Sequence, residues 1–212
     1  IDTVVGRVIQ TVKDAGLYHN TIFIFSADNG YYAGNRGFAG KWTHYDESLR
    51  VPLIVFDPRQ NDARQVSQIA LNADITPTIL EYAGLDIPKH YHGRSLKPFV
   101  DGHTPGDWRT EFLGEFCGGI GSIPDWEGIH GERYVYARYF DNDYEFLHDL
   151  NKDPDQLENL VSNPEYQAIL EQLRRRCDEE IELRGGAFTQ DERSPRVRGK
   201  PAASKKSKKK KG

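Results

Sequence analysis

The amino-acid sequence predicts an α/β fold followed by a small antiparallel sheet packed on one helix. Three observations carry this prediction. An amphipathic helical pattern leads into an apolar run of strand length, a second such run lies beyond a glycine-rich loop, and near Trp108 the pattern changes to short alternating segments closed by a helical one.

Val4, Val5, Val8, Ile9, Val12 and Ala15 recur at spacings of one, three and four, the stripe of an amphipathic helix that buries one face. Gly16 stands where such a helix stops. Residues 21–26 are β-branched, aromatic and apolar on both faces, which reads as a central parallel strand. Beyond Gly30, Gly34, Gly37 and Gly40, residues 51–56 read as a second strand with Pro52 at its start. Residues 74–84 predict a short helix, with Asp74 as N-cap candidate, a proline tolerated in the first turn and a terminal glycine. Residues 88–106 hold few apolar side chains and are expected to wrap the surface. Residues 112–116, 128–129, 134–140 and 145–150 read as short strands, and 164–183 as a helix. The resulting division is 1–107 for the α/β part, 108–185 for the small α+β subdomain and 186–212 for a disordered basic tail.

The 212 residues are 37% hydrophobic with a net charge of −4, a composition that folds. Nine Lys or Arg and no acid fall within 194–212, so residues 1–193 hold −13. The tail offers salt-sensitive attraction to polyanions, and it lacks the interleaved aromatics of a base-stacking surface, so no specific nucleic-acid partner is expected. No run approaches the ~18 apolar residues of a membrane span. Cys117 and Cys177 lack zinc-site spacing and leave one disulfide or two free thiols open. The chain starts at Ile1 and contains no Met, so it is expected to be processed or a piece of a longer protein.

Asp28-Asn29-Gly30 stands where the chain leaves an apolar strand, the place where open α/β sheets put their ligand sites. A carboxylate beside an amide oxygen suits a hard cation such as Ca²⁺ or Mg²⁺, although the same triplet is ordinary turn chemistry. The longer block tips the balance. Ser26-Ala27-Asp28-Asn29-Gly30, then Gly40-Lys41-Trp42-Thr43-His44-Tyr45-Asp46-Glu47-Ser48-Leu49-Arg50-Val51-Pro52-Leu53, resembles the C-terminal signature of the type I sulfatases. The resemblance continues in Asp74-Ile75-Thr76-Pro77-Thr78, in His92-Gly93-Arg94-Ser95-Leu96, and in residues 145–150 with Asp153-Pro154 and Glu158-Asn159-Leu160.

The resemblance implies the C-terminal part of an alkaline-phosphatase-like sandwich, a mostly parallel sheet with flanking helices, and a sulfuric ester hydrolase. In that family an oxidised Cys or Ser, formylglycine, attacks sulfur, and one Ca²⁺ orients the reactants. Carried over by position, Asp28 and Asn29 are metal ligands and Lys41 contacts the sulfate. His44 is a candidate general acid, with a rim or substrate-contacting role as the competing reading. Asn35 and Arg36 stand where many relatives have Glu-His, and are candidate substrate contacts. Tyr31, Tyr32, Phe38 and Trp42 could stack on a sugar or pack the loop. Asp46 and Glu47 read as helix-start acids, not an acid/base pair. His90, His92, His103, His130 and His148 form no ligand-spaced set.

Neither cysteine stands in a C-x-P-S-R motif and no Asp-Asp pair occurs, so the nucleophile and the remaining metal ligands are expected upstream and the isolated chain is expected to be inactive. The rival readings are a phosphodiesterase or phosphonate hydrolase of the alkaline-phosphatase superfamily, and a non-catalytic module binding sulfated glycans or polyanions. The expected substrate is a sulfated small molecule or glycan, and the expected compartment, by resemblance alone, is extracytoplasmic.

Overall fold

A computed structural model describes residues 1–60, 62–117, 124–140 and 144–186. These form two compact units: Ile1–Lys41 with Leu49–Thr110, and Trp42–Ser48 with the chain from Glu111 onward.

In the first unit, α1 (Asp2–Asp14) ends as its sequence requires. Gly16 takes φ +70°, and the Leu17 and Gly16 amides donate to the Val12 and Lys13 carbonyls at 3.0 and 2.9 Å, closing the last turn. The apolar stripe read as buried is open instead: Val4 is 62% and Val8 53% exposed. Amphipathic spacing decides which side chains share a face, not what covers it.

β1 (Phe23–Ser26), the two-residue strands β2 (Tyr32–Ala33) and β3 (Ala39–Gly40) and β4 (Leu53–Phe56) follow, while α2 (Asp46–Leu49), between β3 and β4 in sequence, falls in the second unit up to Ser48. β1 pairs antiparallel with β4, Phe23 opposite Phe56 and Ser26 opposite Leu53, which corrects the parallel reading of residues 21–26. Apolarity on both faces reports what a strand is packed against and carries no information on its neighbour's direction.

A 3₁₀ turn over Asn72–Asp74 leads into α3 (Ile75–Tyr82). Asp74 occupies the N-cap position, but its side chain makes no capping bond to the helix. The carboxylate is fully buried and is committed to Arg109, whose two guanidinium nitrogens donate at 2.6 and 2.8 Å, while the Leu71 and Arg94 amides donate at 2.8 and 2.7 Å. A charge this buried must be paired, and the guanidinium offers more than a helix terminus does. Residues 88–106 also depart from expectation. α4 (Lys97–Val100) lies among them, and Leu96 and Phe99 pack with Trp108 in a small core. Gly93 lies so close to Ala73 that a Cβ would fall 1.9 Å from its carbonyl oxygen, so only glycine fits there.

The second unit contains β5 (Glu111–Phe116), β6 (Trp126–Gly131), β7 (Tyr134–Tyr139), β8 (Tyr144–Asp149) and α5 (Gln167–Leu183). The strands form an antiparallel meander, each paired with its neighbour in sequence. Leu170, Leu173, Cys177 and Ile181 recur along one face of α5 and pack with Ile129, Tyr136 and Leu147 of the sheet. Each such aliphatic side chain contributes about 2 kcal/mol by its removal from water. Cys177 is in the reduced form, and burial pushes its pKa up to about 12, so it is a core residue with no thiolate chemistry near neutrality. The basic tail lies outside the described residues from 187 on. Among the described residues no helix is long and apolar enough to cross a membrane.

Ion pairs give this unit a definite response to acid. Hydrogen bonds from Arg133 hold the buried Asp149 carboxyl below its ordinary value, and Arg174 does the same for Glu145. A carboxylate with a depressed folded-state pKa adds stability that is fully present above its unfolded pKa, near 4, and is lost as pH falls through the folded value. The urea midpoint, followed by circular dichroism, is expected to hold from pH 7 to about 5 and to fall steadily below 4. Asp149→Asn should flatten that fall, and an unchanged acid profile in the variant would remove Asp149 from this role.

Candidate active site

β1 ends at Ser26, and the chain turns through Asp28-Asn29-Gly30. The Asp28 side chain is 86% exposed. Asn29 Nδ2 donates to the Gly30 carbonyl at 2.6 Å, which leaves its Oδ1 to accept a hydrogen bond from the Lys41 ammonium. That ammonium also lies 3.7 Å from Asp28 Oδ2. Lys41 reaches the turn because β2 and β3 pair as a short hairpin that brings the chain back, with Gly40 at φ 93°. Asp28, Asn29 and Lys41 are therefore gathered around one positive charge.

This donor set fits part of a site for a hard divalent cation. One charged and one neutral oxygen already converge on a cationic atom. Ca²⁺ takes roughly six to eight oxygens, so the two residues can supply only a share of its shell. Among the described residues no cluster of three or more His, Cys, Asp or Glu could hold a metal ion.

Asn35 and Arg36 form the hairpin tip, in a 3₁₀ turn over Asn35–Gly37. Arg36 takes φ 55°, a left-handed conformation uncommon for a side chain of its size. The aromatics divide. Tyr32 is buried and meets Phe38 edge-on at 5.5 Å, so it packs the hairpin, whereas Tyr31 is 65% exposed. Trp42, in the second unit, is held at φ 87°, its amide donating to Ser48 Oγ and its carbonyl accepting from Trp126 Nε1, both at 2.7 Å.

His44 belongs to the second unit and is 1% exposed. Its Nδ1 lies 2.8 Å from the Tyr139 hydroxyl and its Nε2 3.3 Å from His148 Nε2, while His148 Nδ1 lies 2.8 Å from the Glu158 carbonyl. A carbonyl can only accept, so His148 carries its proton on Nδ1, and in the neutral pair His148 Nε2 accepts from His44 Nε2. His44 Nδ1 then accepts from Tyr139. Both imidazole nitrogens are engaged inside the unit, among Tyr45 and Phe146 as well. The candidate general acid is thus a buried side chain of the second unit. Asp46 Oδ1 lies 2.7 Å from His130 Nε2 and the Asp46 amide donates to Gln156, which agrees with a structural role for this acid.

Two features of the site left no signal in the sequence. Asn72, more than forty positions from the turn, donates from Nδ2 to the carbonyls of Ala27 and Asp28, each at 3.0 Å. Its 3₁₀ turn is anchored through Asp74 to Arg109. No local pattern marks Asn72; only its hydrogen bonds to the Asp28 turn do.

Residues 34–182 match the family described as N-sulphoglucosamine sulphohydrolase, C-terminal. An N-acetylglucosamine-6-O-sulfatase of Bacteroides thetaiotaomicron is 30% identical over 78% of this chain and 31% of its own length. Among solved structures, one determined in complex with its substrate D-glucosamine-2-N,6-O-disulfate superposes with TM-score 0.76 at 26% identity, covering 85% of this chain and 38% of that one. A phosphonate monoester hydrolase of Agrobacterium radiobacter superposes with TM-score 0.74 at 30% identity, covering 82% and 38%. The chain thus spans about a third of the length of the curated relatives it matches, and its fold is that of the alkaline-phosphatase-like sulfatases.

Proposed function

Because the chain belongs to the N-sulphoglucosamine sulphohydrolase C-terminal family, we propose that it supplies the Asp28-Asn29-Lys41 side of the active site of a sulfatase acting on a sulfated sugar. The observation that carries this reading is the convergence of the Lys41 ammonium with the Asp28 and Asn29 oxygens where β1 ends.

Cleavage of a sulfate ester gathers negative charge on the sulfate oxygens and on the leaving oxygen. Lys41 offers a compact charge that needs no bidentate match, and its contact with Asn29 fixes where that charge stands before substrate arrives. Ca²⁺ held partly by Asp28 and Asn29 would add Lewis-acid stabilisation of the same charge. Asp28, with its side chain 86% exposed, can reach such an ion through its own side-chain torsions. Asn35 and Arg36, on the hairpin tip, are the proposed substrate contacts. A sulfated glucosamine is the favoured substrate, supported by the substrate of the solved relative. An extracytoplasmic location belongs to the same reading and rests on resemblance to the family.

The nucleophile and the remaining metal ligands are proposed to come from a preceding polypeptide segment, since the sequence has no C-x-P-S-R motif and no Asp-Asp pair. The test compares the 212-residue chain with a polypeptide in which the family's N-terminal portion precedes it, on 6-O-sulfated glucosamine and on a phosphonate monoester. Turnover is expected only in the longer form and in favour of the sulfate. Turnover by the chain alone would refute the divided site, and preference for the phosphonate would refute the sulfatase reading.

A further inference from the structure

We infer that Asn72 is a positioning residue for the metal-binding turn: its side-chain amide clamps the backbone on both sides of Asp28 and so sets the direction in which the Asp28 and Asn29 oxygens point. The inference rests on the reading of Asp28 and Asn29 as metal ligands.

The geometry is specific. The Ala27 carbonyl belongs to the peptide plane that precedes the Asp28 Cα, and the Asp28 carbonyl to the plane that follows it. Asn72 Nδ2 donates to both, at 3.0 Å each, one proton to each plane. With the two planes tied to one rigid amide, the backbone dihedrals of Asp28 are fixed and its carboxylate keeps only its own side-chain torsions. The second plane also contains the Asn29 nitrogen, so the start of the Asn29 side chain is fixed with it. On the other side, Ser26 Oγ lies 3.3 Å from Asn72 Oδ1, so the amide spans the turn from the last residue of β1 to Asp28.

A clamp works only if it is itself held. Asn72 begins the 3₁₀ turn whose last residue, Asp74, is fully buried. The Asp74 amide donates to the Leu71 carbonyl at 2.9 Å, the Leu71 amide donates back to the Asp74 carboxylate, and Arg109 closes the carboxylate bidentately. The buried ion pair therefore fixes the turn, the turn fixes Asn72, and Asn72 fixes the ligand loop. Hydrogen bonds behind metal ligands orient the ligands, and their loss costs metal affinity even when every ligand remains.

Asn72→Asp keeps the shape, removes both donors and sets a carboxylate against two carbonyl oxygens; Asn72→Ala removes the group outright. Ca²⁺ alone is titrated calorimetrically into a polypeptide in which the family's N-terminal portion precedes this chain, with the unfolding midpoint recorded beside it. Both variants are expected to weaken Ca²⁺ binding by about tenfold or more while shifting the unfolding midpoint little, since the side chain is exposed, and added Ca²⁺ should restore most of kcat. Asp28→Ala, run in parallel, should weaken binding at least as much. Ca²⁺ affinity unchanged in both Asn72 variants while Asp28→Ala weakens it overturns the clamp and leaves the metal assignment standing. Unchanged affinity in Asp28→Ala overturns the metal assignment and the clamp with it. A purely structural Asn72 would lower the unfolding midpoint and leave the affinity alone, which also overturns the inference.

Discussion

Replacing Lys41 by alanine, in a polypeptide that joins this chain to the family's N-terminal portion, is expected to lower kcat/KM on a sulfate ester by about 10²–10³-fold, the usual loss when a fixed charge at a developing anion is removed. Lys41→Arg should rescue only part of it, because a planar guanidinium cannot occupy the place of a compact ammonium that meets both Asn29 and Asp28. Asp28→Ala should fall in the same range, with a rise in the Ca²⁺ concentration needed for half-maximal rate. His44→Ala is the contrast. His44 bonds Tyr139 and His148 inside the second unit, so its loss should appear first as a lower unfolding midpoint, with a smaller change in kcat/KM on the folded fraction. Steady-state rates and thermal unfolding of the alanine variants at the three positions decide the matter. Equal losses of activity at all three positions, with no change in stability at His44, would sink the assignment of roles.

Asp74→Ala is expected to be the most damaging substitution to stability. It leaves the Arg109 guanidinium, only 13% exposed, without its carboxylate, and strips acceptors from the Leu71 and Arg94 amides. Breaking a buried pair in this way costs about 3–5 kcal/mol, a drop in the unfolding midpoint on the order of 10 °C for a chain of this size. Because much of that cost is the stranded charge, Asp74→Ala/Arg109→Leu should be more stable than Asp74→Ala alone. A double variant that is no better than the single one would show that the lost hydrogen bonds, and not the unpaired guanidinium, dominate. The change also loosens the turn that carries Asn72, so the surviving folded protein should bind Ca²⁺ more weakly.

Much of the second unit was legible from residue pattern. The four strands and the closing helix stand where alternation and the apolar stripe put them, because a meander pairs neighbours in sequence and α5 needs only one apolar face to cover it. Gly16 stops α1 as read, since a helix end of that kind needs a left-handed residue. The first unit is less legible in its residue pattern. The apolar run at 21–26 is a strand, but its partner runs antiparallel, and Asp74 stands at a helix start without capping it. Residues 88–106 contain a small core around Leu96 and Phe99 that their composition concealed.

By itself the sequence determined most of the longer elements and the family blocks, and it singled out Asp28, Asn29 and Lys41, because each rests on chemistry within a few positions or on a motif that travels intact; it left β2, β3 and α4 unread. Only the tertiary structure decided how those residues are used. It took the Asp74 carboxylate for Arg109, closed both His44 nitrogens inside the second unit, and brought Asn72 beneath the turn of Asp28. The physical reason is the same in each case: hydrogen bonds and ion pairs are satisfied by whatever lies within about 3 Å in space, and separations of 35 to 104 positions along the chain carry no trace of that distance.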